Sequence, residues 1–184
     1  MSANNPIFSR NKNFDEAAPF DTLKTEHFLP AIKESIKIAN IYIDEIASSG
    51  EHPTFENTIL ALENSSEHLD TASSIYYHLF SAEAGEELES LSGEISGLLA
   101  KFSNDLYLNK NLFEKILHVD NNSSGNSKDE QRLIKVYLRK FIRNGADLKE
   151  EDKDTLRKID SDLSALSPKF SSNLRQAINN YELG

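Results

Sequence analysis

The sequence predicts an all-α fold of antiparallel helices, and three observations point there. Apolar residues recur every three or four positions over six separate stretches. Gly, Pro and capping residues punctuate those stretches where helices would start and stop. No strand candidate of useful length interrupts them. The 184 residues suit one domain, or at most two small ones, with enough chain to bury about two-thirds of the unfolded surface.

Each element follows from its own residues. Positions 1–24 contain Pro6 and Pro19 and show no period, so an irregular arm packed on the surface is expected. The first helix spans about Leu29 to Ile46. Its Ile32, Ile36, Ala39, Ile43 and Ile46 step by four, three, four and three residues onto one face. Either Thr25 or Leu29 begins it, because Pro30 is tolerated only in a first turn, and Gly50 and Pro53 end it.

A second helix follows Thr54, whose hydroxyl suits the N-cap. There Phe55, Ile59, Leu62, Leu69, Tyr76 and Phe80 fall on heptad-like positions. Ser66 and Ser73 fill the remaining slots, which suggests close helix approach at those points. The third, about Glu86 to Leu106, repeats the period through Leu88, Leu91, Ile95, Leu98 and Phe102. Its Gly93 and Gly97 weaken it by roughly 1 kcal/mol each relative to Ala. A short fourth, about Asn111 to Val119, carries Leu112, Phe113, Ile116 and Leu117.

The low-complexity stretch 120–128 (DNNSSGNSK) is expected as a mobile loop. A fifth helix runs from Asp129 to Asn144, with Gly145 in the C-terminal glycine position. The sixth, from about Lys149 to Asn180, carries Leu156, Ile159, Leu163, Leu166, Phe170, Leu174 and Ala177. Pro168 should kink it.

Composition excludes several chemistries. Without cysteine there is no disulfide scaffold, no thiolate zinc site and no cysteine nucleophile. A net charge of −10 argues against non-specific nucleic-acid binding. That charge is uneven: residues 1–124 hold 8 basic and 20 acidic side chains, residues 125–184 hold 12 and 10. Met1 to Phe14 lacks the roughly 7–15-residue apolar core of a signal peptide. No apolar run approaches the roughly 18 residues of a membrane span, so no membrane partner and a cytoplasmic location are expected.

Candidate sites are few. His27, His52, His68, His78 and His118 include no pair at i, i+4 and no His-Glu-x-x-His, so a helical zinc-protease site is absent. They are expected to be solvated or locally hydrogen-bonded. The Glu-His dipeptides at 26–27, 51–52 and 67–68 share no spacing. Glu83, Glu86, Glu87, Glu89 and Glu94 lack the ligand spacing and turn glycine of a calcium loop, and acids belong at a helix N-terminus. Arg132, Lys135, Arg139 and Arg143 form a basic row opposite Ile134, Leu138 and Phe141. Such a row suits a peptide carboxylate or an acidic partner, but the default expectation is the solvated face of an amphipathic helix, or pairing with the acidic first two-thirds of the chain. No Gly-x-Gly-x-x-Gly, phosphate-binding loop or Gly-x-Ser-x-Gly elbow occurs.

Four ordered segments go further. PFDTLKTEHFLPAI (19–32), PTFENTILALE (53–63), SNDLYLNKNLF (103–113) and FSSNLRQAINNYEL (170–183) resemble the N-terminal helical region of the thimet oligopeptidase family of zinc metallopeptidases. Phe55-Glu56-Asn57-Thr58-Ile59 and Asn104-Asp105-Leu106-Tyr107-Leu108-Asn109 favour the bacterial peptidyl-dipeptidase branch over oligopeptidase A. The resemblance covers the chain from about Asn5-Pro6 to Leu183. It departs at the loop 120–128 and at Ala84-Gly85, where a capping Thr-Asn is more usual.

The resemblance implies a helical ellipsoid split by a deep channel, with zinc on a His-Glu-x-x-His helix in the later part of the parent chain. The N-terminal part would be one channel wall, admitting short peptides only, and its covalent partner would be the missing C-terminal catalytic domain. No catalytic or metal residue carries over, and this fragment is expected to be inactive and to bind no zinc. Residues 1–184 are therefore expected to be an excised N-terminal portion of a peptidase that releases C-terminal dipeptides. Arg139 and Arg143 are the residues offered for the substrate carboxylate. An oligopeptidase A type endopeptidase and a free-standing helical interaction module are the alternatives.

Overall fold

In the computed structural model, the described residues are 5–9, 17–83 and 85–181, with the side chains of Glu83 and Asn179 also left aside. The arm between residues 10 and 16, Ala84 and Leu183 lie outside them. Among the described residues there is no strand, and the all-α expectation holds. No helix is long and apolar enough to cross a membrane.

The first helix, α1 (Thr25–Ser48), is the central element. Its start at Thr25 places Pro30 beyond the first turn, which corrects the expectation for that proline. The missing N–H forfeits one bond, to the Glu26 carbonyl, while the same segment buries Phe28, Ala31 and Ile32. The predicted stripe continues inward through Ala39, Ile43 and Ile46, whereas Ile36 is only half-buried and Ser35 beside it is enclosed. With that face, α1 packs on α2 (Ala61–Ser65), α3 (Glu67–Glu83), α4 (Glu86–Tyr107) and α5 (Lys110–Asn121). Ahead of it, the turn Pro6–Phe8 tucks Ile7 into the core at 2% exposure. The side chain of Asn5 donates to the His27 carbonyl at 2.9 Å, and Phe8 meets the His68 ring edge-on at 5.6 Å.

The second predicted helix is divided. Thr54 caps it as expected: its hydroxyl accepts from the Asn57 N–H (3.2 Å), and the Asn57 side chain accepts from the Thr54 N–H (2.8 Å). The first six residues, Phe55–Leu60, form a wide π-helical stretch that leads into α2. At Ser66 the backbone leaves the helix (φ −107°, ψ 7°), and α3 starts afresh. Ser66 therefore marks a break rather than a close helix approach. Its hydroxyl donates to Asp70 (2.9 Å) and that of Ser65 donates to the Leu62 carbonyl (2.7 Å), the local bonding by which serines compete with a helix.

The stretch 120–128 is shorter than a loop of nine. α5 runs to Asn121, a single 3-10 turn spans Ser123–Gly125, and Ser127 caps α6 (Lys128–Arg143). Ser127 and Glu130 form a reciprocal capping box at 3.3 and 2.8 Å. The backbone N–H of Ser127, then the Asn126 side chain, hold the Glu130 carboxyl below the usual carboxylate range. α6 ends as predicted: Gly145 takes φ +89°, its N–H bonds to the Ile142 carbonyl, and the Ala146 N–H bonds to that of Phe141, both at 3.0 Å.

The core is one cluster that runs from Ile7 in the Pro6–Phe8 turn to Ala146 just after α6, with Phe28, Ile32, Ile59, Tyr76, Ile95, Leu112, Ile116, Ile134 and Phe141 fully enclosed. None of its residues comes from α7 (Glu150–Asn179), which lies along α4. The expected kink at Pro168 is not confirmed: α7 continues as one helix through that residue.

Candidate functional site

The basic row sits on α6, whose opposite face buries Ile134, Tyr137 and Phe141. Lys135 reaches across to Asp120 on α5, with its Nζ 2.7 Å from the nearer carboxylate oxygen. Arg132, Arg139 and Arg143 stand exposed and form no ion pair with another described residue. Arg139 and Arg143 lie one helical turn apart and present two guanidinium groups to solvent.

Beside that row the structure assembles a polar recess that the sequence reading missed. Tyr137 on α6 donates its hydroxyl hydrogen to Glu63 on α2 in a short hydrogen bond. Glu63, Ser66, Asp70, Tyr107, Tyr137 and Lys140 line a cavity of about 180 Å³. Burial pushes the Tyr137 phenol well up, and its bond to Glu63 adds to the effect. Burial likewise raises Tyr107, with the Asp70 and Glu63 carboxylates contributing. Both phenols therefore stay protonated at neutral pH, and Tyr137 serves as a hydrogen-bond donor to Glu63. Glu63 and Asp70, seven residues apart across Ser66, both border the recess, and no local sequence pattern joins them to Tyr137 on α6.

The histidines divide. His52 and His118 meet Nε2 to Nε2 at 3.1 Å with rings edge-to-face, although 66 residues separate them. The Asn122 side chain lies 3.3 Å from the same His118 nitrogen. The remaining histidines stay apart, with His27 bonded to the Lys24 N–H, His68 against Phe8 and His78 beside Phe20. Among the described residues no group of three or more His, Asp or Glu could hold a metal ion. Among the described residues, the His52–His118 pair lacks the third protein ligand that a zinc site needs.

The acidic cluster ties elements together. Glu87 accepts from the Thr25 hydroxyl (3.2 Å), Glu89 faces Arg175 of α7 (3.5 Å), and Glu94 pairs with Lys33 of α1 (2.6 Å). Its Glu83 member lies outside the described side chains.

No protein-family profile matches the chain. Individual proteins do. It is 33% identical to the dipeptidyl carboxypeptidase of Salmonella typhimurium over 94% of its own length. It is 32% identical to that of Escherichia coli over 96%, and 29% identical to oligopeptidase A of Haemophilus influenzae over 99%. In each case it spans 26% of the relative's length, about a quarter. Across nearly its whole length, the chain matches the N-terminal portion of the thimet oligopeptidase family.

Proposed function

We propose that the chain is the N-terminal, channel-wall portion of a zinc-dependent peptidyl-dipeptidase that removes dipeptides from the C-termini of short peptides. One observation carries this reading: two relatives named dipeptidyl carboxypeptidase align over 94% and 96% of the chain at 33% and 32% identity. The zinc and the catalytic groups belong to the remaining part of such an enzyme. This chain supplies a stiff helical wall. Its core of interlocked helices resists the bending that a folded substrate would demand of the channel. Arg139 and Arg143 would hold the C-terminal carboxylate of the peptide, a contact that only an exopeptidase of this type needs.

The test is a fusion of residues 1–184 to the remaining three quarters of the Salmonella relative. Chelator-sensitive release of C-terminal dipeptides is expected from the fusion, with no hydrolysis by the isolated chain. Chelator-sensitive hydrolysis by residues 1–184 alone would overturn the reading. Replacing Arg139 and Arg143 with Glu in the fusion should raise KM for short peptides about tenfold or more, the scale of a lost charge-assisted bond. An unchanged KM removes them from carboxylate binding. The 29% identity to oligopeptidase A supports a second reading, an endopeptidase. Rapid cleavage of peptides blocked at the C-terminus would favour it.

A further inference from the structure

α7 is amphipathic in the unusual sense that its apolar side faces out. The side it lays near α4 carries Arg157, Asp160, Ser164, Pro168, Ser172 and Arg175, partly covered and mostly polar or small. Arg157 bonds to Asp105 at 2.8 Å, and Arg175 reaches Glu89 at 3.5 Å. Ile159, Leu163, Leu166, Phe170, Leu174 and Ile178 step along a different face and are 49–69% exposed. At its far end the stripe borders a groove where Leu174 and Ile178 face Phe80 and Ala82 at the end of α3, with the Arg175 guanidinium 5.2 Å from the Phe80 ring centre.

We propose that this outward stripe, with its groove against α3, is the seat for an apolar helix face from the remaining three quarters of the parent peptidase. The inference rests on the reading of the chain as the N-terminal part of such an enzyme. Three features select that occupant. A continuous apolar row of six large side chains over a single helix is more than singly scattered surface residues. From Leu163 to Tyr181 the only charged side chains are Lys169 and Arg175, and Arg175 is engaged by Glu89, so the face offers little to nucleic acid or to a charged lipid surface. The relatives are about four times as long as this chain, which supplies ample polypeptide to cover it.

The experiment compares the Leu163→Lys, Phe170→Lys double variant in two settings, residues 1–184 alone and the fusion to the remainder of the Salmonella relative. Alone, the variant should keep its helical circular dichroism and its thermal midpoint within about 2 °C, because both positions face solvent. In the fusion, two lysines buried against an apolar face should lower the midpoint by about 5 °C or more and cut dipeptide release at least about tenfold. A fusion that is active and indifferent to the variant overturns the seat and leaves the channel-wall reading standing. A fusion that melts as one unit, is weakened by the variant and releases no dipeptides supports the seat and overturns the wall reading. Two independent melting transitions without activity overturn both. If the isolated chain is a dimer that the variant makes monomeric while the fusion is unaffected, a second copy occupies the stripe and the proposal fails.

Discussion

α1 and α7 are the two longest helices, 24 and 30 residues, and both carry apolar residues at three- and four-residue steps. In α1 the row is the buried axis of the domain: Phe28, Ile32, Ala39 and Ile43 are each no more than 4% exposed. In α7 the row from Ile159 to Ile178 stays about half exposed or more, and the helix is held to α4 by arginine–carboxylate pairs. Periodicity reports that a helix has an apolar face; it does not report what covers that face. Burial of an apolar row is worth far more than exposed ion pairs of the Arg157–Asp105 kind, so stability should be concentrated around α1.

That contrast breaks most directly at two phenylalanines. Phe28→Ala, at a side chain 1% exposed, should cost about 3–5 kcal/mol in denaturant titration. Phe170→Ala, at 69% exposure, should stay within about 0.5 kcal/mol. Equal losses would show that α7 is as well supported as α1.

Alkali tests the same core through Tyr76, which packs edge-on to Phe28 at 5.6 Å and donates to the Leu88 carbonyl at 3.0 Å. Burial, with Tyr77 adding to it, pushes the Tyr76 phenol up to about 12. An unfolded tyrosine ionises near 10, so the folded state holds a proton that the unfolded state has lost. The stability tied to that proton is intact below pH 10 and disappears as the pH climbs through 12. The slope approaches about 1.4 kcal/mol per pH unit while the group is fully linked. Tyrosinate absorbance from the core should rise together with the loss of helical signal. A rise that precedes unfolding would show that Tyr76 is reachable by solvent.

The joint between the two regimes is Gly145. A Cβ there would sit 2.8 Å from side-chain carbons of both Leu148 and Leu156, at a φ of +89°. Gly145→Ala should therefore cost more than about 1 kcal/mol. An effect of opposite sign belongs to Gly97 on α4, where an added Cβ meets nothing within 4 Å. Gly97→Ala should raise stability by up to about 1 kcal/mol, measured by chemical unfolding. A loss instead would mean that α4 and α7 approach each other more closely than this structure shows.

Helix existence was legible because repeat spacing and capping are local. Thr54, Gly145 and the stripe of α1 were all readable from neighbours within a few positions. The break at Ser66 was not, because serine suits a helix surface almost as well as a stop, and only its bond to Asp70 decides. The Tyr137–Glu63 bond and the His52–His118 contact join residues 74 and 66 positions apart. No local pattern encodes such meetings, and they appear only once α2, α5 and α6 have found their places. The basic row was legible as a row, and so was its pairing with the acidic first part of the chain as one expectation; that Asp120 would be the partner of Lys135 was not.

The short turn at Pro6–Phe8 carries a consequence for the order of events during synthesis. Its Ile7 leaves the ribosome before α1 and α3, yet the surface that encloses it is built from those two helices. The Phe8 contact, His68, lies 60 positions later in the chain. The peptide must therefore wait, unpaired, until α3 has emerged and docked on α1, and its closure is a late, long-range step of vectorial folding. Any extension added before Asn5 would travel with it and meet the same deadline.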